Sequence, residues 1–200
     1  MTVVGLRERK RAASRERILR EAIALFAERG IDSVTVDEIA AAADVGKGTV
    51  YNYFKAKEDI IVAFLLELDR EALAAMPGLA AEAKSAADAL DAATWSLLGN
   101  KADHHRFVRV FLARLVSADG FADDLIEFQK ALDVALGLFF ENLLARDDVA
   151  TDRTVAELGL SFKTHHLGLN MLWSLEGPPF ATARALTRRH MEMFAKGLKS

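Results

Sequence analysis

The sequence contains no cysteine among its 200 residues. Without thiols, it cannot form disulfides, thiolate zinc sites, iron–sulfur clusters or cysteine nucleophiles. Only 3 prolines and 12 glycines are present, which is few for a loop-rich β protein, whereas the good helix formers alanine, leucine, glutamate and arginine are plentiful. These shortages predict an all-α fold.

Long hydrophobic runs are also missing. No uncharged stretch approaches the roughly 18 apolar residues of a membrane-spanning helix, and the opening MTVVGLRERKR lacks the apolar core of a signal peptide. Hydrophobic residues make up 52% and charged residues 28% of the chain, a globular composition. We therefore expect a cytoplasmic protein with no membrane partner.

The charge is distributed unevenly along the chain. Residues 1–57 carry eleven Lys and Arg against eight Asp and Glu, whereas the remaining residues carry fifteen against twenty-one. A basic head on an acidic body favours a head that meets a polyanion. A solvated helix face would give the same count, and the basic run from Arg7 to Arg11 fits either an arm that reaches DNA or a simple tail.

Two short helices with a tight turn between them are the strongest local pattern. Thr35 and Glu38 have the spacing of a capping box that opens the first helix. Asp44-Val45-Gly46 then forms a turn, and Lys47–Tyr53 forms the second helix with Val50 and Phe54 directed inward. Helices joined by a turn of about three residues are typical of a helix-turn-helix.

Further helices are predicted on both sides of this motif, about nine in all. An amphipathic helix over Ser14–Arg29 precedes it, with Gly30 at the C-cap position. A helix from Lys57 is predicted to stop at Pro77-Gly78. The predicted helices that follow are Leu79–Leu98, Asp103–Val116, Asp123–Arg146, Asp152–Leu175 and Phe180–Lys199.

The segment TVDEIAAAADVGKGTVYNYFKAKEDI, from Thr35 to Ile60, closely resembles the DNA-binding signature of TetR-type transcriptional regulators. With the preceding helix, the resemblance covers roughly residues 12–65. It implies a three-helix DNA-binding domain over residues 1–56. It also implies a helical domain over residues 57–200 that binds an effector and forms a homodimer.

The resemblance, together with the residue chemistry, marks a set of residues for contact with double-stranded operator DNA. The second short helix would enter the major groove, where small polar side chains reach base edges. Aromatic side chains and helix N-termini would hold the phosphates. The predicted DNA-binding residues are Thr35, Gly46, Lys47, Gly48, Thr49, Tyr51, Asn52, Tyr53 and Lys57.

Several of these residues also have an ordinary structural interpretation. Tyr51 and Tyr53 would serve as aromatic core in another fold, although Val50 and Phe54 already fill the inward face. Thr35 acts as a helix cap whether or not it touches phosphate, and Lys57 alone is a common solvent-exposed charge. The sequence Asn52-Tyr53 departs from the aromatic residue followed by His or Tyr that many family members carry at this point.

The histidine pairs His104-His105 and His165-His166 raise the question of an enzyme. Neighbouring residues on a helix point about 100° apart, so neither pair presents both rings to one metal. The zincin spacing, glycine-rich phosphate loops and the Gly-x-Ser-x-Gly elbow are all absent. We expect no catalytic residues, no metal site and no cofactor.

The C-terminal part of the sequence is rich in aromatic residues, most of which ordinary core packing would explain. Apolar walls with a few polar groups also describe a ligand pocket. The candidate effector-binding residues are Phe64, Trp95, Phe107, Phe111, Phe128, Phe162, His166, Asn170 and Trp173. The expected effector is a small, largely apolar molecule.

The last two predicted helices are strongly amphipathic and suit a four-helix dimer interface. Its candidate residues are Leu169, Leu186, His190, Met193 and Phe194. Together with these features, the resemblance to TetR-type regulators implies a homodimeric, ligand-responsive transcriptional regulator, a repressor that binds a pseudopalindromic operator. The alternative is a DNA-binding protein without a small-molecule effector, whose helical body serves only dimerisation or a protein partner.

Overall fold

The computed structural model describes residues 5–116 and 123–198, and these residues form nine α-helices, a short 3-10 helix and no strand. The predicted all-α class is confirmed. The helices are α1 (Leu6–Arg29), α2 (Val36–Ala42), α3 (Lys47–Tyr53), α4 (Lys57–Glu82), α5 (Ala86–Gly99), α6 (His105–Leu115), α7 (Asp123–Leu144), α8 (Val155–Glu176) and α9 (Ala181–Lys196). The predicted end of the last helix, Lys199, lies outside the described residues.

Helix α1 begins at Leu6, so the predicted start at Ser14 is wrong. The intervening residues are good helix formers without an interruption. At the N-terminus, the carboxylate of Glu8 accepts a hydrogen bond from the backbone N–H of Gly5 at 3.1 Å. The basic run from Arg7 to Arg11 is therefore helical. At the other end Gly30 adopts φ 79°, a left-handed value that favours glycine.

Helix α4 continues through Pro77 to Glu82, so the predicted stop at this proline is wrong. A proline inside a helix loses one backbone hydrogen bond. Here α7 and the turn after it support the following residues, because Asn142 donates to the carbonyl of Pro77 at 2.9 Å. The next helix begins at Ala86 rather than Leu79, behind an N-cap at Ser85.

The chain divides into two compact units, residues 1–64 and residues 65–200. The division between these units falls inside α4. The N-terminal unit is built on a small apolar core from all four of its helical segments. Its most buried side chains are Ile18, Ala22, Phe26, Ile39, Val50, Phe54, Ile60 and Ile61.

The C-terminal unit has an aromatic core on α7 and α8. The ring centroids of Phe139 and Phe140 are 5.1 Å apart, and Phe162 lies 6.1 Å from Phe140. All three rings are at most 2% exposed. Edge-to-face and tilted aromatic contacts of this kind stabilise the core beyond the area that they bury. Among the described residues, no helix combines the length and apolarity needed to cross a membrane.

The junction between α8 and α9 is a sharp turn, as the sequence predicts. Gly177 adopts φ 75° and a cis bond joins Pro178 to Pro179. The carboxylate of Glu176 accepts hydrogen bonds from the first backbone N–H groups of α9, those of Thr182 at 2.8 Å and Ala183 at 2.6 Å. This side chain both closes the turn and caps the following helix.

Arg146 ties the C-terminal end of α4 to the turn after α7. Its Nη1 donates to the carbonyl oxygens of Ala80 at 2.8 Å and Ala83 at 3.0 Å, and its Nε donates to Asp148 at 2.7 Å. The side chain is 16% exposed. Carbonyl groups at a helix end have no partner within the helix, so this guanidinium completes α4.

We expect Arg146→Met to lower the free energy of unfolding by about 2–3 kcal/mol, because hydrogen bonds from a charged group are lost and buried acceptors are left unpaired. Chemical denaturation measures this. The control is Arg153→Met. Arg153 Nε lies 3.7 Å from Asp152 Oδ1, and both side chains are mostly exposed. Exposed ion pairs of this kind contribute little to the free energy of unfolding. Equal effects of the two substitutions would contradict the proposed role of Arg146.

Candidate functional site

The helix-turn-helix of the N-terminal unit is held at its start by a capping box. The Thr35 hydroxyl accepts from the backbone N–H of Glu38 at 3.2 Å, and the Glu38 carboxylate accepts from the backbone N–H of Thr35 at 2.8 Å. That backbone bond, followed by hydrogen bonds from Arg29 and the Thr35 hydroxyl, lowers the pKa of Glu38 to about 2. The carboxylate therefore stays ionised and fixes the start of α2.

The turn between α2 and α3 is where the sequence predicts it. Asp44 adopts φ 49°, a left-handed conformation that aspartate tolerates better than most residues. Gly46 is the N-cap of α3, and its carbonyl accepts from the backbone N–H of Thr49 at 2.8 Å. This turn sets the direction of α3.

Helix α3 has one buried face and one open face. Val50 is 1% exposed and Phe54, just after the helix, is 3% exposed, so the predicted inward residues are buried. The exposed side of the helix carries Lys47, Gly48, Tyr51 and Asn52, and Thr49 is half-buried beside them. An added Cβ at Gly48 would meet no atom within 4 Å, so packing within the protein does not require glycine there.

Tyr51 and Tyr53 differ in their surroundings. Tyr51 is 47% exposed, whereas Tyr53 is half-buried and its hydroxyl donates to the carbonyl of Arg11 at 3.1 Å. The guanidinium of Arg11 lies 5.9 Å from the centre of the Tyr53 ring. Tyr53 therefore joins α3 to α1, a role that the sequence does not reveal.

Lys57 also has an internal role. Its ammonium donates to the carbonyl of Ile31 at 2.6 Å and to that of Val34 at 3.3 Å. Both acceptors lie in the loop between α1 and α2, so the first residue of α4 holds that loop in place. Lys47 instead makes an exposed ion pair with Asp37 at 2.8 Å, where a stronger anion could displace the carboxylate.

The C-terminal unit contains a cavity of about 1190 Å³ with mainly apolar walls. Side chains of α4 to α8 line it. Five of the predicted effector-binding residues are among them: Phe111, Phe128, Phe162, His166 and Asn170. A volume of this order is sufficient for a drug-sized or larger guest.

The other four predicted effector-binding residues lie outside this cavity. Trp173 is fully buried and stacks on Phe180 at 4.5 Å. Trp95 lies under the guanidinium of Arg184 at 4.8 Å, and Phe107 stacks on a neighbouring histidine. Phe64 belongs to the N-terminal unit. Helical periodicity places an aromatic residue on a face but does not distinguish tight packing from an open wall.

Sequence reasoning missed the charged wall of the cavity. Asp69 of α4 and Lys101, after α5, line the cavity, and they are 5% and 4% exposed. The Lys101 ammonium donates to the Asp69 carboxylate, and Asn100 donates to the same carboxylate oxygen at 2.9 Å. Burial raises the pKa of Asp69 and lowers that of Lys101. The sequence carries no signal for this pairing because the two residues lie 32 positions apart.

His166 and Asn170 form a second polar element of the cavity wall. The Asn170 amide nitrogen lies 2.7 Å from His166 Nε2 and also donates to the His166 carbonyl at 3.3 Å. Nε2 is therefore the acceptor, and Nδ1 carries the proton of the neutral ring. The described residues contain no grouping of three or more His, Asp or Glu side chains suited to a metal.

The predicted dimer residues are exposed to different degrees. Met193 of α9 is 67% exposed, Leu186, His190 and Phe194 are half-buried, and Leu169 is 4% exposed. Helix α8 nevertheless carries an apolar surface that the sequence did not single out. Its exposed members are Leu160, Leu167, Met171, Leu172 and Leu175, each at least 50% exposed.

Comparison with known proteins in sequence gives matches to part of the chain. Residues 18–64 match the model of the bacterial regulatory proteins, tetR family. The transcriptional regulator TcmR of Streptomyces glaucescens is 36% identical over 72 residues, which is 36% of this chain and 32% of that protein. The repressor KstR2 of Mycolicibacterium smegmatis is 38% identical over 50 residues, or 25% and 24% of the two chains. The chain thus matches about a third or less of the length of these relatives.

Solved structures match along nearly the whole chain. FadR of Thermus thermophilus, a repressor in complex with lauroyl-CoA, has a TM-score of 0.72 at 21% identity and covers 92% of this chain and 94% of its own. FadR of Bacillus subtilis in complex with stearoyl-CoA has a TM-score of 0.68 at 21% identity, with 91% and 98% covered. At 21% sequence identity, this structural similarity establishes the fold alone.

Burial makes the His166 ring a source of pH-dependent stability. Burial, followed by the charge of Lys101, lowers the pKa of His166 from 6.5 to about 3. Between these two values the unfolded chain binds a proton that the folded chain does not. The free energy of unfolding therefore decreases as the pH falls below about 6.5.

We expect His166→Phe to remove a slope that approaches about 1.4 kcal/mol per pH unit between about pH 6.5 and 5. Urea denaturation at a series of pH values measures this slope. The matched control is His165→Phe, which removes an exposed imidazole from the same helix. An unchanged pH dependence in His166→Phe would show that the ring is protonated in the folded protein.

Proposed function

Since the chain belongs to the TetR family of transcriptional regulators, we propose that it is a homodimeric repressor that binds a pseudopalindromic operator and is released by a small effector. Membership of a family of DNA-binding regulators confirms the prediction that the chain is not an enzyme. The observation that carries the proposal is the open face of α3, on which Lys47, Gly48, Tyr51 and Asn52 are exposed. Its site of action would be the cytoplasm, where the operator is.

The contacts of the N-terminal unit divide the predicted DNA-binding residues into two groups. Thr49 and Asn52 are small polar side chains suited to base edges in the major groove. Tyr51, Lys47 and the backbone at Gly46 and Gly48 suit the phosphates, to which polar side chains and close backbone approach give position without sequence preference.

Thr35, Tyr53 and Lys57 have side chains that already make internal hydrogen bonds. We propose that they act chiefly by holding α2, α3 and the α1–α2 loop in place. The free backbone N–H groups at the start of α4 remain available to a phosphate, as the position of Lys57 predicts.

The cavity favours a ligand-responsive regulator over the alternative with no effector. The space of about 1190 Å³ has mainly apolar walls and suits a guest, whereas a body that served dimerisation alone would not require it. The FadR proteins, which share the fold, hold acyl-CoA ligands. A guest that shifts α4 would move the helix-turn-helix with it, because α4 begins in the N-terminal unit.

Substitutions on α3 can separate the recognition of bases from the binding of phosphates. We expect Thr49→Ala and Asn52→Ala to relax the preference at particular base pairs, at about 1–3 kcal/mol for each good base contact. Tyr51→Phe should weaken binding to all sequences equally, because a phosphate contact carries no sequence information.

Selection of bound DNA from a random pool, followed by anisotropy titrations with the recovered operator, measures both effects. The recovered site should be a palindrome with half-sites about 34–36 Å apart or somewhat more. Wild-type affinity and sequence preference in all three variants would show that α3 is not the recognition helix.

Dimerisation is proposed through the exposed apolar surfaces of α8 and α9. We expect Met193→Glu to weaken the dimer at least about tenfold, since a charge would be buried at the interface. Sedimentation at micromolar concentration measures this, and operator binding should weaken in parallel. Val134→Glu is the matched control because Val134 is a comparably exposed apolar residue of α7, at 64%. A stable wild-type monomer would contradict the proposal.

A further inference from the structure

The charged wall of the cavity includes an acceptor without a hydrogen-bond partner. Asp69 Oδ1 accepts from both Lys101 and Asn100. Asp69 Oδ2 makes no hydrogen bond or ion pair within residues 5–116 and 123–198, although the residue lines the cavity and is only 5% exposed. Oδ2 is therefore free to accept a hydrogen bond from a donor outside the chain.

The hydrogen bonds of Lys101 show whether this side chain has a donor available for a guest. Its ammonium donates to Asp69 Oδ1, to the carbonyl of Leu97 and to Asn100 Oδ1 at 3.4 Å. Three acceptors match the three N–H donors of an ammonium. Asp69 Oδ1 in turn accepts from two donors, as a carboxylate oxygen can. Lys101 therefore has no donor left for a guest.

We propose that the cavity binds an apolar molecule that carries an uncharged hydroxyl group, an alcohol or a phenol, whose O–H donates to Asp69 Oδ2. This inference rests on the proposed function of the cavity as the effector site and specifies the chemistry of the effector. The apolar walls, which include Phe111, Phe128 and Phe162, enclose the rest of the guest. The hydroxyl supplies the donor that Asp69 Oδ2 lacks among the described residues.

Other polar groups fit this wall less well. A carboxylate has no donor and would place a second negative charge against Asp69, while the donors of Lys101 are already used. An ammonium would meet a carboxylate that Lys101 already neutralises and would be repelled by Lys101. An ether or ester of the same size can accept a hydrogen bond but has no hydrogen to donate, so Oδ2 would stay without a partner.

A competition assay tests this selectivity in the full-length protein. Diphenylhexatriene, a hydrocarbon that fluoresces in apolar surroundings, reports occupancy of the cavity. The competitors are decanol, methyl decyl ether, decanoate and decylammonium. Each is used below its solubility limit or critical micelle concentration. Decanol should displace the probe at about a tenfold lower concentration than the ether, and at a lower concentration than either ion. Stronger competition by the ether, decanoate or decylammonium overturns the proposal.

A charge-balanced variant assigns the preference to Asp69. Replacement of both partners, Asp69→Leu with Lys101→Met, avoids the unpaired buried charge that a single substitution would leave. The variant should bind the probe and lose the preference for decanol over the ether. The control, Thr164→Val, removes a hydroxyl from the cavity wall that already donates to the carbonyl of Leu160, and it should retain the wild-type ratio.

The same compounds separate the inference from the proposed function. A preference for decanol in the wild type, lost in the double variant, supports the inference even if decanol leaves operator affinity unchanged, in which case the effector function fails. Release of the operator by a compound without a donor, from a cavity that shows no preference for decanol, supports the effector function and overturns the inference. If the double variant does not fold, the ratio of decanol to ether in the wild type decides.

Discussion

Every helix in this chain must satisfy the polar groups at its ends, and charged side chains meet much of that requirement. Glu38 holds the start of α2, Glu176 the start of α9 and Arg146 the end of α4. Lys57 supplies donors to the loop between α1 and α2. The N–H and C=O groups at helix ends have no partners in the helix, so these side chains determine where each element stops and how the next one begins. In the N-terminal unit, Glu38 and Lys57 in this way hold the segments on either side of α3.

The parts of the fold that could be predicted are those with local causes. The capping box at Thr35, the turn at Asp44 and the helix over Lys47–Tyr53 are encoded by neighbouring residues, and they lie where the sequence places them. The α8–α9 turn is encoded in the same way. The course of α4 could not be predicted, because the support that carries it past Pro77 comes from Asn142 and Arg146, which are distant in the sequence.

The candidate sites show the same division. An exposed face on α3 follows from periodicity, and the structure leaves Tyr51 and Asn52 on it. The internal contacts of Tyr53 and Lys57 depend on other helical segments and have no local signature. In the cavity, periodicity identified Phe162, His166 and Asn170 on one helix. It could not identify Asp69 and Lys101, whose pairing exists only in three dimensions.

The boundary between the two compact units lies between Phe64 and Leu65, inside an unbroken helix. Ile60 and Ile61 are fully buried and belong to the N-terminal unit. A hybrid regulator that joins this DNA-binding head to another sensor therefore needs its junction after residue 64, in helical phase with the new partner. A junction at residue 56 would replace two core isoleucines of the head along with the sensor. The evolutionary exchange of heads and sensors is under the same restriction, because the first turns of α4 must be inherited with the head.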